Sequence, residues 1–60
     1  MTEKQLEQVK KQLPEGEYFN REYRAIEGDI RIISKDASNR EKRYTVSFDV
    51  AGNALITLFH

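Results

Sequence analysis

From Arg43 to Val50 apolar and polar positions alternate, with Tyr44, Val46, Phe48 and Val50 on one face and Arg43, Thr45, Ser47 and Asp49 on the other. A period of two is that of a half-buried β-strand. Ala54 to Phe59 is apolar at nearly every position, as in a strand covered on both faces or meeting a second chain. Gly52-Asn53 between these runs suits a two-residue type II′ turn, with glycine at the first central position. The predicted hairpin opposes Ala51 to Ala54, Val50 to Leu55, Phe48 to Thr57 and Val46 to Phe59. In that register Val50, Leu55 and Phe59 point into the core, and Ile56 and Leu58 point away from it.

The first third of the chain has a helical period instead. Leu6, Val9 and Leu13 form one stripe, and Glu3, Lys4, Glu7, Lys10 and Lys11 fall largely outside it. Thr2 followed by Gln5 fits a capping box, with Met1 and Leu6 placed as a hydrophobic staple. Pro14 disfavours helical geometry at Leu13, so the helix should run from about Glu3 to residue 12 or 13. Three turns are too short to be stable alone, so the apolar stripe must lie on something.

Residues 17–35 admit two readings before Gly28. Either Phe19 to Ile26 is a strand that turns at Glu27-Gly28 into a second strand, Asp29 to Lys35, or Asn20 caps a short helix that stops at Gly28. Aromatic enrichment favours the strand, whose Tyr23 and Ala25 would align with Ile32 and Ile30. Lys35 to Glu41 is polar and turn-rich and reads as an exposed loop. The expected fold is a single α+β domain: an N-terminal helix packed on one face of a three- or four-stranded antiparallel β-meander that ends in a C-terminal hairpin. The predicted core is Leu6, Val9, Leu13, Tyr23, Ala25, Ile30, Ile32, Tyr44, Val46, Phe48, Val50, Leu55 and Phe59.

A chain of 60 residues without cysteine has neither disulfide nor thiolate metal site to support a small core, which makes homodimerisation a reasonable expectation. Ten basic and ten acidic side chains cancel, which argues against holding a polyanion by bulk electrostatics. The charge is unevenly spread: residues 18–43 carry seven basic and five acidic groups, and residues 44–60 carry only Asp49. With no apolar run of the ~20 residues that span a bilayer and no secretory-type apolar segment at the start, a cytoplasmic protein without membrane contact is expected.

Candidate chemistry is sparse. His60, the only histidine, sits at the end of the chain, where a general base would lack fixed geometry. Glu15 with Glu17 and Glu27 with Asp29 flank glycine turns, where acidic residues are ordinary. Asp36, Ser38 and Asn39 offer fewer oxygen donors than a calcium loop. No enzyme, cofactor or metal is expected. The outer sheet face is the more informative surface. Protein contact, with a second copy or a larger partner, would use Ile33, Ile56 and Leu58 as apolar anchors and Arg31 and Arg43 as orienting charges. The last strand, if an open edge, could also accept a strand from another chain. Nucleic-acid binding, the second choice, would use Arg24, Arg31, Lys35 and Arg43, with Thr45 and Ser47 as phosphate-directed hydroxyls. Against it, Tyr44 and Phe48 point to the predicted core, leaving no obvious stacking platform.

Overall fold

The computed structural model describes residues 1–59; the expectation for His60 falls outside them. Helix α1 (Glu3–Gln12) precedes strands β1 (Glu17–Arg24), β2 (Ile30–Asp36), β3 (Glu41–Phe48) and β4 (Ala54–Leu58). The strands form one antiparallel sheet in the order β1-β2-β3-β4, so the α+β meander is the architecture, and residues 17–24 are strand rather than helix. No helix among the described residues is long and apolar enough to cross a membrane.

The helix begins as its capping box requires: Thr2 Oγ1 accepts from the Gln5 N–H at 3.1 Å, and Gln5 Oε1 accepts from the Thr2 N–H at 3.0 Å. It ends because Leu13, which precedes Pro14, is extended with ψ 140°. Two stripes offset by one residue then do different work. Leu6, Val9 and Leu13 lie toward the sheet, and Val9 is buried with Ile32, Tyr44, Val46 and Ala54. Gln5, Gln8 and Gln12 lie along the free edge of β4.

These glutamines occupy the edge as a fifth strand would. Gln8 Oε1 accepts from the Ala54 N–H at 2.8 Å, Gln12 Nε2 donates to the Ala54 carbonyl at 2.6 Å, and Gln12 Oε1 accepts from the Ile56 N–H at 3.0 Å. One side-chain amide thus bonds the carbonyl of one residue and the N–H two residues on, as a parallel neighbour does. Gln5 Nε2 adds a bond to the Gly52 carbonyl at 2.9 Å. The last strand is an edge, but the backbone groups at its start are occupied, so the condition for accepting another strand there is not met.

All three hairpins have the same loop. Gly28 N–H donates to the Ala25 carbonyl, Asn39 to Asp36 and Gly52 to Asp49, while Ala25, Asp36 and Asp49 each donate to the carbonyl four residues on. Each connection is a three-residue loop whose last member, Gly28, Asn39 or Gly52, has positive φ: a turn followed by a left-handed residue. Asp36 and Asp49 brace their loops, each accepting on Oδ1 from two backbone N–H groups at 2.9–3.0 Å.

This corrects the predicted registers. Val46 pairs with Ile56 rather than Phe59, and Tyr23 with Arg31 rather than Ile32. Both shifts are by an odd number of residues, and an odd shift turns every side chain of a strand to the other face. Ile56 packs against the core, whereas Phe48, Val50, Leu55 and Phe59 are exposed. Ile33 is also buried, on the face away from the helix.

Replacing Gln12 with Leu should lower stability by about 1–3 kcal/mol, because the Ala54 carbonyl and Ile56 N–H lose their partner. Thermal unfolding should register this as a fall in Tm of about 5 °C or more, with Lys11→Ala on the exposed helix face nearly neutral.

Candidate functional site

The sheet face away from the helix carries one row, Arg21, Ile33 and Arg43, that crosses β1, β2 and β3. Phe59 extends it, its N–H donating to the Arg43 carbonyl at 2.9 Å. The next row is Tyr23, Arg31, Thr45 and Thr57. Toward the opposite end of the sheet lie Tyr18, Lys35 and Glu41. With neighbouring strands ~4.8 Å apart, the Arg21 and Arg43 α-carbons stand ~10 Å apart across Ile33. Ile33 is only 2% exposed and forms the floor beneath these longer side chains. Arg21, Tyr23, Ile33 and Arg43 line a shallow cleft of about 210 Å³.

A bulge at the lower end of β1 brings β1 to this arrangement. Phe19 pairs with Ser34 and Arg21 with Ile33, so two β1 residues stand opposite Ser34. Phe19 accordingly packs toward the helix side, while Arg21 and Tyr23, beyond the bulge, face outward with Tyr18.

Among the described residues the strands of this face hold four cations, Arg21, Arg31, Lys35 and Arg43, against one carboxylate, Glu41, with Glu27 of the first loop beside Arg31, although the whole chain is neutral. They are not equally available. Arg31 sits 4.1 Å above the centre of the Phe59 ring and 3.7 Å from the Glu27 carboxylate, with its Nε buried and without a hydrogen-bond partner. Lys35 is 3.8 Å from Glu41. Among the described residues neither Arg21 nor Arg43 forms an ion pair, and both are exposed. The surface thus combines the Arg31–Phe59 cation–π contact with two guanidinium groups that, among the described residues, have no ion-pair partner, beside Tyr23.

The helix-bearing face has a polar centre of a different kind. Glu17 Oε1 accepts from the Tyr44 hydroxyl at 2.6 Å and from the Ser34 hydroxyl at 2.8 Å, and Lys42 Nζ lies 3.2 Å from Oε2. Burial acts to raise the Glu17 pKa, but the bonds from Tyr44, Ser34 and Lys42, with the Lys42 charge, outweigh it and hold the carboxyl below its ordinary 4.5. Burial, with the bond to the Glu17 carboxylate and its charge, pushes the Tyr44 hydroxyl up from 10.0 to about 12. Each donor has an acceptor, so the cluster ties β1, β2 and β3 together.

The structure divides the predicted site residues between the two faces. Arg31, Ile33, Lys35, Arg43, Thr45 and Ser47 share the outer face, as expected. Ile56 and Leu58 do not: they lie on the helix-bearing face, opposite Val46 and Tyr44. Arg24 also lies there, opposite Ile30, and its Nη1 donates to the Gly28 carbonyl at 2.7 Å. The expected apolar cluster of Ile33, Ile56 and Leu58 is therefore not assembled on the outer face. Arg21, Tyr18, Tyr23 and Phe59 stand on that face instead: loop length sets Arg21, Tyr23 and Phe59, and the β1 bulge sets Tyr18. For Phe59 the signal was Asp49-Val-Ala-Gly52, an aspartate three residues before a residue that tolerates positive φ, as in Asp36-Ala-Ser-Asn39; Ala25 before Gly28 carries no such mark for Arg21 and Tyr23.

No protein-family model matches this chain, and no curated protein or solved structure matches it either.

The Glu17 cluster predicts a pH profile. Because the folded carboxyl titrates below its unfolded value, its contribution is complete at neutral pH and disappears as pH falls through the folded pKa. Asp36 and Asp49, lowered chiefly by backbone N–H donors from Arg40 and Asn53, add to the same acid limb. Tyr44 has the opposite sign: its contribution is complete below pH 10.0 and is lost as pH rises toward about 12. Denaturant unfolding across pH 2–11.5 should show both limbs. Glu17→Gln should shallow both and lower the neutral plateau by about 1–3 kcal/mol.

Proposed function

We propose that this domain is a non-enzymatic binding module whose outer sheet face takes a single-stranded nucleic acid. The supporting observation is the co-facial set of Arg21, Arg31 and Arg43 with Tyr18, Tyr23 and Phe59 on one face of an open sheet. Unstacked bases lie on aromatic or guanidinium planes, and the backbone follows cationic side chains. Tyr18 and Phe59 are exposed, the Arg31 guanidinium lies over the Phe59 ring, and Arg21 and Arg43 are exposed on the same face. Thr45 and Ser47 supply hydroxyls on the same face. The aromatic platform that argued against nucleic acid when absent argues for it here. Single strands suit the site better than a duplex, because these rings need exposed base faces.

In this reading Arg43 and Arg21 neutralise phosphates, Tyr23 and Tyr18 stack on bases, and the Arg31–Phe59 pair adds a preformed cation–π contact. Lys35, engaged with Glu41, contributes less. A fluorescein-labelled oligothymidylate or oligouridylate should raise anisotropy on titration at low ionic strength. Arg43→Ala should flatten the slope of log affinity against log salt by about 0.7. Tyr23→Ala should weaken binding by about 1–3 kcal/mol, and Tyr23→Phe should leave it nearly intact. Lys4→Ala on the helix is the neutral control. No anisotropy change at low salt with either oligonucleotide, or equal losses for Arg43→Ala and Lys4→Ala, would overturn the proposal.

A further inference from the structure

The sheet has two edges, and they are treated differently. Along β4 the amides of Gln8 and Gln12 occupy the backbone groups of Ala54 and the N–H of Ile56. At β1 no comparable side-chain bonds reach the outward backbone groups of Glu22 or Arg24 among the described residues. The Ala25 N–H bonds the Asp29 carbonyl, so Ala25, and by alternation Tyr23 and Arg21, direct their backbone groups to β2. Glu22 and Arg24 direct theirs outward. The bulge between Phe19 and Arg21 interrupts the lower half of the strand and leaves Arg21–Arg24 as the regular, unpaired stretch.

We propose that this edge of β1 pairs antiparallel with β1 of a second copy of the chain, about a twofold axis at Tyr23. Charge selects both the partner and the register. Only residues with outward backbone groups can exchange hydrogen bonds across the new junction, so Glu22 and Arg24 must meet each other or themselves. Centring on Glu22 would oppose two carboxylates, and centring on Arg24 would oppose two guanidinium groups. Centring on Tyr23 opposes Glu22 of each copy to Arg24 of the other, twice, and brings the two Tyr23 side chains together on the outer face.

The side chains are placed for it. Glu22 and Arg24 are exposed and lie on the same face, since they pair with Ile32 and Ile30. Glu22 has the Met1 amino group 3.6 Å away, and Arg24 uses Nη1 on the Gly28 carbonyl, which leaves its other donors for a partner. A twofold axis normal to the sheet keeps the two outer faces on one side and puts each α1 at a far edge. The resulting eight-stranded sheet sets the two Tyr23 side chains beside each other at its middle, with Arg21 two residues along each strand on the same face. The pairing is independent of any nucleic-acid role and is tested without nucleic acid.

Sedimentation equilibrium from about 10 μM to about 1 mM should show a reversible monomer–dimer equilibrium for the unmodified chain. Glu22→Arg and Arg24→Glu, each placing like charges opposite twice, should each weaken the dimer roughly tenfold or more. The double reversal E22R/R24E should restore it to within about threefold of the original Kd. Far-UV circular dichroism checks that each variant is folded. A mixed isotope-labelled sample of the unmodified chain gives a mutation-free readout, intermolecular contacts between Tyr23 rings. A strict monomer through about 1 mM, single reversals that dimerise as tightly as the original, a double reversal without recovery, or missing Tyr23 contacts would each overturn the proposal.

Discussion

The Asp49 carboxylate and the left-handed backbone of Gly52 together decide which side chains of the last strand meet the helix. Asp49 Oδ1 gathers the N–H groups of Ala51 and Asn53, and Gly52 takes φ +84°, so the loop closes after Val50, Ala51 and Gly52. Phe48 then pairs with Ala54 and Val46 with Ile56. With the loop one residue shorter, Leu55 would enter the core and Ile56 would leave it. The same loop recurs at Asp36–Arg40 and Ala25–Asp29, so one local geometry sets the register out of all three hairpins, and the β1 bulge alone resets it, below Arg21.

The helix depends on that register in turn. Ala54, Ile56 and Leu58 are the β4 residues whose backbone groups point off the sheet, and Gln8 and Gln12 meet the first two. The adjacent stripe buries Val9 among Ile32, Tyr44, Val46 and Ala54. A three-turn helix with marginal stability of its own is thus held by one apolar row and one row of amides. In a domain this small the polar row matters, because a core of this size leaves little margin for buried edge groups without partners. The Glu17–Tyr44–Ser34–Lys42 cluster, on the same face but away from β4, joins β1 to β3 across β2.

Much of the fold was legible in the residues. The Thr2–Gln5 capping box, the Pro14 stop, the alternation from Tyr44 to Phe48 and the turn-rich segment 36–40 each correspond to an element in its expected place. Face assignment was less legible for a physical reason. Gly52-Asn53 and Glu27-Gly28 satisfy the rule for two-residue turns, yet their glycines serve as the left-handed third residue of longer loops. Both uses need positive φ, so glycine alone cannot separate them. Asp49, three residues before Gly52, carries the distinguishing chemistry, and Asp36 before Asn39 repeats it. The β1 bulge has no comparable mark: nothing in Phe19-Asn20-Arg21 distinguishes it from regular strand. Arg31, Ile33, Arg43, Thr45 and Ser47 kept their face because β2 and β3 are joined by a loop whose register left that face intact, whereas Arg24, Ile56 and Leu58 changed sides with the flanking strands.

The basic and aromatic character of the outer face, the Arg31–Phe59 contact and the Arg21–Ile33–Arg43 row all follow from these registers. A direct measurement is the contact between α-protons of facing residues in the nuclear Overhauser spectrum, which is strongest at non-hydrogen-bonded antiparallel pairs, where the chains approach most closely. The structure predicts a strong contact between the α-protons of Val46 and Ile56, and another between those of Tyr44 and Leu58. A contact from Val46 to Phe59 in their place would mean a two-residue turn, return Ile56 and Leu58 to the outer face, and contradict the account at its foundation.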